Sequence, residues 1–533
     1  MKLTLSKNFD FGRFFRLTAG LAMLAAIMAG PAAAADVASN FKEHCASCHG
    51  TDRLGGLGPA LLPENLGRLR KADAEKVIRD GRPATQMLGV GQKLSAEEIK
   101  ALVDYVYTPI VPRPAWGEKE ISASRIVNFA PGTLPDKPQF TADPMNLFVV
   151  VESGDHHVSI LDGDKLEPIF RFPSRYALHG GPKFTPDGRY VFFASRDGWI
   201  TKFDLWNLKV IAEVRAGINT RNAAVSGDGQ WVAVANYLPH SLVILDADLN
   251  LTKILPVTDK DGTTSSRVSA VYDASPRQSF IAALKDVKEV WEVSYNPKAD
   301  DISAGMIHDY KYREGKFISG FLNPQRTQLD DYLDDFYFTQ GYDELMGASR
   351  NDSKSAVSGQ VVNLDARKKI ADLELPGMPH LGSGISWKWQ GKTVMATPNL
   401  NDGLISIIDM KTWKTIKHIR TRGPGFFMRS HENSRYAWID SMMSKEFKDT
   451  MQVIDKETLE VVAELKPEPG KTFAHVEFTR DGKYVLASLW EKDGAIIVYD
   501  AVTLKEVKRL PMNKPVGKYN VWNKITKSEG TSH

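Results

Sequence analysis

The chain has 533 residues, 42% of them hydrophobic and 25% charged, with a formal charge of +3. Such a length exceeds one ordinary domain, so a division into domains and internal repeats is expected. Near charge balance with no basic run argues against nucleic acid as a partner, and two cysteines in all cannot build a zinc site from two cysteine pairs.

The N-terminus carries Lys2, Lys7, Arg13 and Arg16, an apolar run from Leu17 to Met28, and small residues from Ala32 to Ala35 ahead of Asp36. The apolar run is too short to span a bilayer, and this order is that of a secretory signal peptide over residues 1–35. No later segment approaches 18 apolar residues. The expectation is an exported protein without a membrane span, addressed to a bacterial periplasm.

Cys45-Ala-Ser-Cys48-His49 uses both cysteines of the chain. C-x-x-C-H is the attachment signature of a c-type haem, in which the thiols bond the porphyrin edge and the His49 imidazole ligates the iron. Residues 36–112 read as one small helical domain around this motif, with Phe41 on the helix that enters it. Ser95-x-x-Glu98 is a capping box. It opens a helix with apolar residues at Ile99, Leu102, Val103 and Val106, the spacing of one buried face. Pro109 stops that helix, and Pro112 and Pro114 mark the start of a linker over residues 113–130. A haem motif near the start and an apolar final helix resemble a class I cytochrome c. Met87 is the only methionine between the two elements and is the candidate sixth iron ligand. A thioether there raises the haem potential.

From residue 131 to 533 the chain is rich in strands and turns, and one unit recurs. Strands ending in Asp are Val158–Asp162, Ile200–Asp204, Leu242–Asp246, Gln360–Asp365, Ile405–Asp409, Met451–Asp455 and Ile496–Asp500, and Glu289–Ser294 is a degenerate copy. Where intact copies adjoin, their Asp residues lie 42, 42, 44, 46 and 45 positions apart. Asp-Gly turns recur in Phe184–Val191, Val225–Val232 and Phe478–Val485, where Gly supplies the positive φ of a tight hairpin. Eight four-stranded units of this size imply an all-β eight-bladed propeller with a central channel. The spacing breaks between the fourth and fifth units. Residues 312–345, with Asp330-Asp-Tyr-Leu-Asp-Asp-Phe-Tyr, read as an excursion that could cover the binding face.

A short cytochrome c followed by an eight-bladed propeller resembles the cytochrome cd1 family over essentially the whole chain after residue 35. Local matches are Tyr176-Ala-Leu-His179-Gly, Ser195-Arg196-Asp-Gly-Trp, Gly217-Ile-Asn-Thr-Arg221, Pro379-His380-Leu-Gly and Gly517-Lys-Tyr-Asn-Val-Trp522. The resemblance implies a haem d1 held non-covalently in the propeller channel. It implies His179 as the proximal iron ligand, and Arg196, Arg221 and Arg267 as partners of the macrocycle carboxylates, which guanidinium groups bind bidentately. His431, in a repeated turn, reads as structural.

The family divides. Its nitrite reductases carry two distal histidines, one in a Pro-His segment matched here by His380. The other has no counterpart, because no histidine lies between His308 and His380. A sister branch, the NirN type, oxidises a propionate of dihydro-haem d1 to an acrylate at the end of haem d1 biosynthesis. His475, in Phe-Ala-His-Val-Glu, can serve as a base near neutral pH. His380 and His475 are therefore the expected acid–base pair, with Tyr237 and Tyr519 lining the pocket. The resemblance points to this second branch, with electrons leaving through one covalent haem c to a soluble periplasmic acceptor. It also implies transient association with the nitrite reductase that receives the finished haem. A divergent nitrite reductase and a non-catalytic haem d1 carrier are the alternative readings.

Overall fold

A computed structural model describes residues 30–56, 58–67, 69–81, 87–309, 314–348 and 359–526. The leader read in residues 1–35 lies outside the described residues as far as residue 29. Two compact units divide at Arg113 and Pro114. Among the described residues no helix is long and apolar enough to cross a membrane.

The first unit is helical. The helix Gly30–His44 runs into the short helix Ala46–His49, and Lys71–Asp80 and Ala96–Val106 follow. The capping box forms as expected: Ser95 Oγ accepts the Glu98 N–H at 3.2 Å and the Glu98 carboxylate accepts the Ser95 N–H at 2.7 Å. Asn40 also donates to Glu98, at 3.2 Å, which ties the first long helix to the last. Phe41, Ala46, Leu102 and Val106 form the core, the apolar stripe that the sequence spacing marks out.

The second unit is a ring of eight antiparallel sheets, seven of four strands and one of five. Each recurring strand singled out above, including the degenerate Glu289–Ser294, is the third strand of its blade counted from the channel. The repeated Asp has a mechanical task. Asp204 Oδ1 accepts the N–H groups of Trp206 and Asn207 at 2.9 and 3.1 Å, and Asp162, Asp409, Asp455 and Asp500 each accept two N–H groups of the turn that follows. The carboxylate thus turns the chain into the fourth strand, satisfying backbone donors that a tight turn leaves open. The Asp-Gly turns join the first and second strands, with Gly188, Gly229 and Gly482 at φ of 69°, 70° and 75°.

Apolar faces pack between neighbouring blades. Ala233, Leu242 and Ile244 of the third blade meet Val268, Phe280 and Trp291 of the fourth in one buried cluster. Each of the larger side chains, such as Leu242, Ile244, Val268 and Phe280, contributes about 1.5–3 kcal/mol by leaving water. The ring closes through the C-terminal strand Pro515–Asn520, which pairs with Leu147–Glu152 as the innermost strand of the first blade. That pairing gives the first blade its fourth strand and ties the two ends of the ring together.

Two expectations need correction. The segment 113–130 is not a free linker: Glu118–Ser124 is helical with Ile121 fully buried, and Ile126–Val127 adds a fifth strand to the outer strand Lys209–Arg215. Trp116 Nε1 donates to the Arg215 carbonyl at 2.8 Å. Its apolar residues find an exposed blade edge, which outweighs the prolines that precede them. Nor is 312–345 one excursion. Pro324–Gln328 completes the fourth blade, and Asp335–Phe338 and Glu344–Ala348 are the first two strands of the fifth. The inserted element is instead a two-stranded hairpin of Ile302–Asp309 and Glu314–Ile318, placed between the third and fourth strands of the fourth blade. Residues 310–313 of the segment lie outside the described residues.

Candidate functional site

The channel holds a cavity of about 410 Å3 lined by His179, Arg221, His380, His475 and Tyr519 among others. His179 stands on the loop that leads into the inner strand of the second blade. Its N–H donates to the Ala194 carbonyl at 2.9 Å, and Leu178 bridges Ser195. Its Nδ1 lies 2.8 Å from the Arg221 carbonyl and 2.9 Å from the Arg221 guanidinium; the shorter contact, to an atom that can only accept, favours the proton on Nδ1 and the lone pair on Nε2. Arg196 and Arg221 each place a guanidinium nitrogen 3.0 Å from that Nε2. The expected ligand and two of its expected cationic neighbours therefore form one cluster.

His380 holds the corresponding place on the loop into the sixth blade. Its N–H donates to the Pro398 carbonyl at 2.9 Å, and Pro379 bridges Asn399. His380 Nδ1 donates to the Phe426 carbonyl at 2.9 Å, and its Nε2 lies 3.7 Å from the Asp335 carboxylate. Asp335 accepts the Tyr272 hydroxyl at 2.8 Å. An arc of rings then runs from His380 through Phe426 and Phe427 to His475 and Tyr519, with successive centroids 4.3, 4.6, 4.7 and 5.3 Å apart. Tyr519 fits because Gly181 and Gly517 leave room for it: a Cβ on either would stand 3.1 and 2.7 Å from atoms of its ring and hydroxyl.

His475 sits at a bulge in the inner strand of the eighth blade, with φ at 53°. For a residue with a side chain this backbone costs about 1–3 kcal/mol, and such positions cluster at functional sites. Burial holds its imidazole well below the usual histidine range, and the cations Lys518, Arg429 and Lys524 push the same way. Burial likewise raises the Tyr519 phenol to about 12. Both groups are neutral at pH 7.

Three expected residues are not among the lining residues: Arg196, which stands behind them in contact with His179 Nε2, and Arg267 and Tyr237, which lie elsewhere. Arg267 Nε donates to Asp286 at 2.8 Å, and its guanidinium lies 5.4 Å from the centre of the Tyr237 ring. The carboxylate that neutralises Arg267 comes from its own blade, in Lys285-Asp286, which sequence reading passed over. It also passed over Lys183, Asp335, Phe426, Phe427, Arg429, Trp490 and Lys524, all of which line the cavity. Paired aromatics in Gly425-Phe-Phe427 were the available signal for two of them.

In the helical unit, Cys45 and Cys48 are free thiols, half-buried, and His49 is buried. His49 Nδ1 donates to the Pro59 carbonyl at 2.8 Å, which leaves Nε2 as the ligating nitrogen. A Cβ on Gly58 would stand 2.8 Å from the ring, so only glycine allows this approach. Two thiols one helical turn apart beside an oriented imidazole fit a covalent haem. Met87 is half-buried, beside the Gly81–Leu88 bridge; residues 82–86, just before it, lie outside the described residues.

A model described as "Cytochrome D1 heme domain" matches residues 142–524. The chain belongs to the cytochrome d1 heme-domain family. The family match covers the whole ring of blades, and a second model, "Cytochrome C oxidase, cbb3-type, subunit III", matches residues 32–106. The chain is 55% identical to the Dihydro-heme d1 dehydrogenase of Pseudomonas aeruginosa, over 98% of its own length and all of that protein's. It is 26% identical to the Nitrite reductase of Stutzerimonas stutzeri, over 95% and 97% of the two chains. A solved structure, "Dihydro-heme d1 dehydrogenase NirN in complex with DHE", matches with a TM-score of 0.84 and 55% identity, over 91% of this chain and 99% of that one.

Proposed function

We propose that this protein is a periplasmic dihydro-haem d1 dehydrogenase that converts one propionate side chain of its substrate to an acrylate. The change removes two protons and two electrons: –CH2–CH2–COO⁻ becomes –CH=CH–COO⁻. In this reading His179 Nε2 ligates the substrate iron, and Arg196, Arg221, Lys183 and Lys524 receive the macrocycle carboxylates as charge-assisted partners. His380, across the channel from His179, and His475, on the wall between them, serve as the acid–base pair, with Tyr519 closing the pocket beside His475. Asp335, 3.7 Å from His380 Nε2, stabilises the imidazolium that forms when His380 takes a proton.

In the helical domain, residues 36–112, Cys45 and Cys48 would hold one covalent haem c, with His49 and Met87 as its axial ligands. That haem supplies a one-electron acceptor when bound. The leader of residues 1–35 directs export. A soluble periplasmic acceptor would take the electrons onward, and a cytochrome cd1 nitrite reductase would receive the finished haem.

The observation that carries this reading is the presence of His380 and His475 with His179 in one cavity, in a chain 55% identical throughout to a Dihydro-heme d1 dehydrogenase. The test is anaerobic: turnover of dihydro-haem d1 with an electron acceptor, with the extracted haem identified by mass. Loss of two hydrogens supports the dehydrogenase. Bound but unchanged haem would contradict it.

A further inference from the structure

Lys518 has no exposed surface, yet it carries an amine. It lies on the closing strand, one residue before Tyr519, so its side chain leaves the strand on the opposite face, behind the His475 ring. Its Nζ contacts three atoms. It donates to the His475 carbonyl, lies 2.8 Å from Ser488 Oγ, and lies 3.3 Å from His475 Nδ1. An ammonium has three N–H groups, and three acceptors surround this one.

The charges around the ring decide the state of that amine. Arg429 and Glu477 form a buried pair at 2.7 Å and cancel. Asp440 accepts four backbone N–H groups, from Phe426, Phe427, Met442 and His475, which only a carboxylate with both oxygens open can do. An ionised Asp440 leaves one negative charge to be balanced inside and favours the charged form of Lys518, whereas burial, the larger influence, holds the amine well below the usual lysine range. Lys524 and the neutral Tyr519 complete the groups that face the imidazole.

We propose that Lys518 is a positioning residue that fixes His475 as its Nε2–H tautomer, so that His475 presents a hydrogen-bond donor to the substrate. His380 has the opposite arrangement, because its Nδ1 donates to Phe426 and its Nε2 is the basic atom. The two histidines then divide the work. His380 takes the two protons from the side-chain carbons in turn, passing the first to water before it takes the second, the two electrons leave singly to the haem c acceptor, and His475 holds the propionate carboxylate as negative charge builds there. The division rests on the dehydrogenase reading; the tautomer does not.

The experiment uses the full-length haem c protein in its reduced state, with histidine labelled with 15N. His475 is assigned by the signal that disappears in His475→Gln. The expected pattern is an unprotonated Nδ1 and a protonated Nε2 at pH 7. A protonated Nδ1 would overturn the proposal while leaving the dehydrogenase reading intact; no turnover by the wild-type protein would sink that reading and leave the tautomer standing. Lys518→Met provides the second arm. With Nδ1 released, kcat should fall roughly tenfold, about the worth of one hydrogen bond, with substrate affinity unchanged. The ratio of variant to wild-type kcat should then rise as pH falls below the usual histidine range, where this buried imidazole takes a proton, because an imidazolium offers its Nε2–H whichever tautomer preceded it. A ratio that does not change with pH would reduce Lys518 to a structural role and overturn the proposal.

Discussion

His179 and His380 occupy the same position in two blades that lie four apart in a ring of eight. Each donates its backbone N–H, at 2.9 Å, to the residue that opposes it on the second strand, Ala194 or Pro398. Each also turns Nδ1 toward a carbonyl of the next blade, Arg221 or Phe426, at 2.8 and 2.9 Å. The repeat thus places two Nε2 atoms on opposing walls of one cavity. What distinguishes them is the neighbour each meets: two guanidiniums at His179 and one carboxylate at His380.

This symmetry separates binding from chemistry. His179→Ala should change the Soret and α-band absorption of bound dihydro-haem d1 and weaken its binding. Titration followed by absorption spectroscopy checks both, and an unaltered spectrum would reject His179 as the iron ligand.

Across the channel the outcome should be the reverse. His380→Gln should lower kcat by 10²-fold or more, the usual worth of a general base, and leave the spectrum of bound substrate unchanged. His475→Ala should abolish turnover without loss of binding, whereas His475→Gln, whose amide can still donate, should keep more activity than His380→Gln. Steady-state kinetics alongside binding titration separates these variants.

Asp440 anchors both halves of this wall. It accepts the Phe426 N–H at 2.8 Å, and Phe426 holds His380; it accepts the His475 N–H at 3.4 Å directly. Asp440→Asn puts an amide against four donors. The loss should be roughly 2–4 kcal/mol of stability, as expected for buried donors left unpaired, and kcat should fall with it. Urea unfolding of the full chain measures the first quantity.

Stability should also depend on pH below neutrality. Burial lowers the pKa of His156, His431 and His475 below the ordinary 6.5. The unfolded chain therefore binds more protons, so the stability these groups contribute is complete above about pH 6.5 and lost as pH falls beneath it. Each contributes a slope of about 1.4 kcal/mol per pH unit in that window. Asp440, raised to about 6 by burial, works in the opposite sense. Its folded form gains a proton before the unfolded form does, and offsets one histidine. The urea midpoint should fall from pH 7.5 to 5.5, and His431→Gln should flatten that decline by one proton.

The ring was legible because its repeat is a backbone device. The Asp that ends six of the eight third strands caps the next turn, with Asn363 in that place in the fifth blade and Ser294 ending the strand in the fourth, so an Asp recurs every 42 to 46 residues where intact copies adjoin. His49, His179 and His380 were legible through their motifs. The hairpin of residues 302–318 was misplaced in the reading because the fifth blade opens with the polar and aromatic Asp334-Asp-Phe-Tyr-Phe338, which resembles a loop more than a strand. Arg267 has the residue type of a carboxylate partner, but Asp286 meets it first. Asp440 gave no sign at all, and Lys518 stood only inside the Gly517–Trp522 match, with no role attached to it. A buried charge within a strand reads as a solvent-facing residue until the structure shows which partners hold it.

The central claim is that this cavity oxidises a propionate side chain. The most direct measurement is the mass of haem extracted after anaerobic incubation of the haem c protein with dihydro-haem d1 and an electron acceptor. The account predicts a product two hydrogens lighter, formed together with reduction of the acceptor. Haem recovered at its starting mass, from a protein that binds it, would contradict the account.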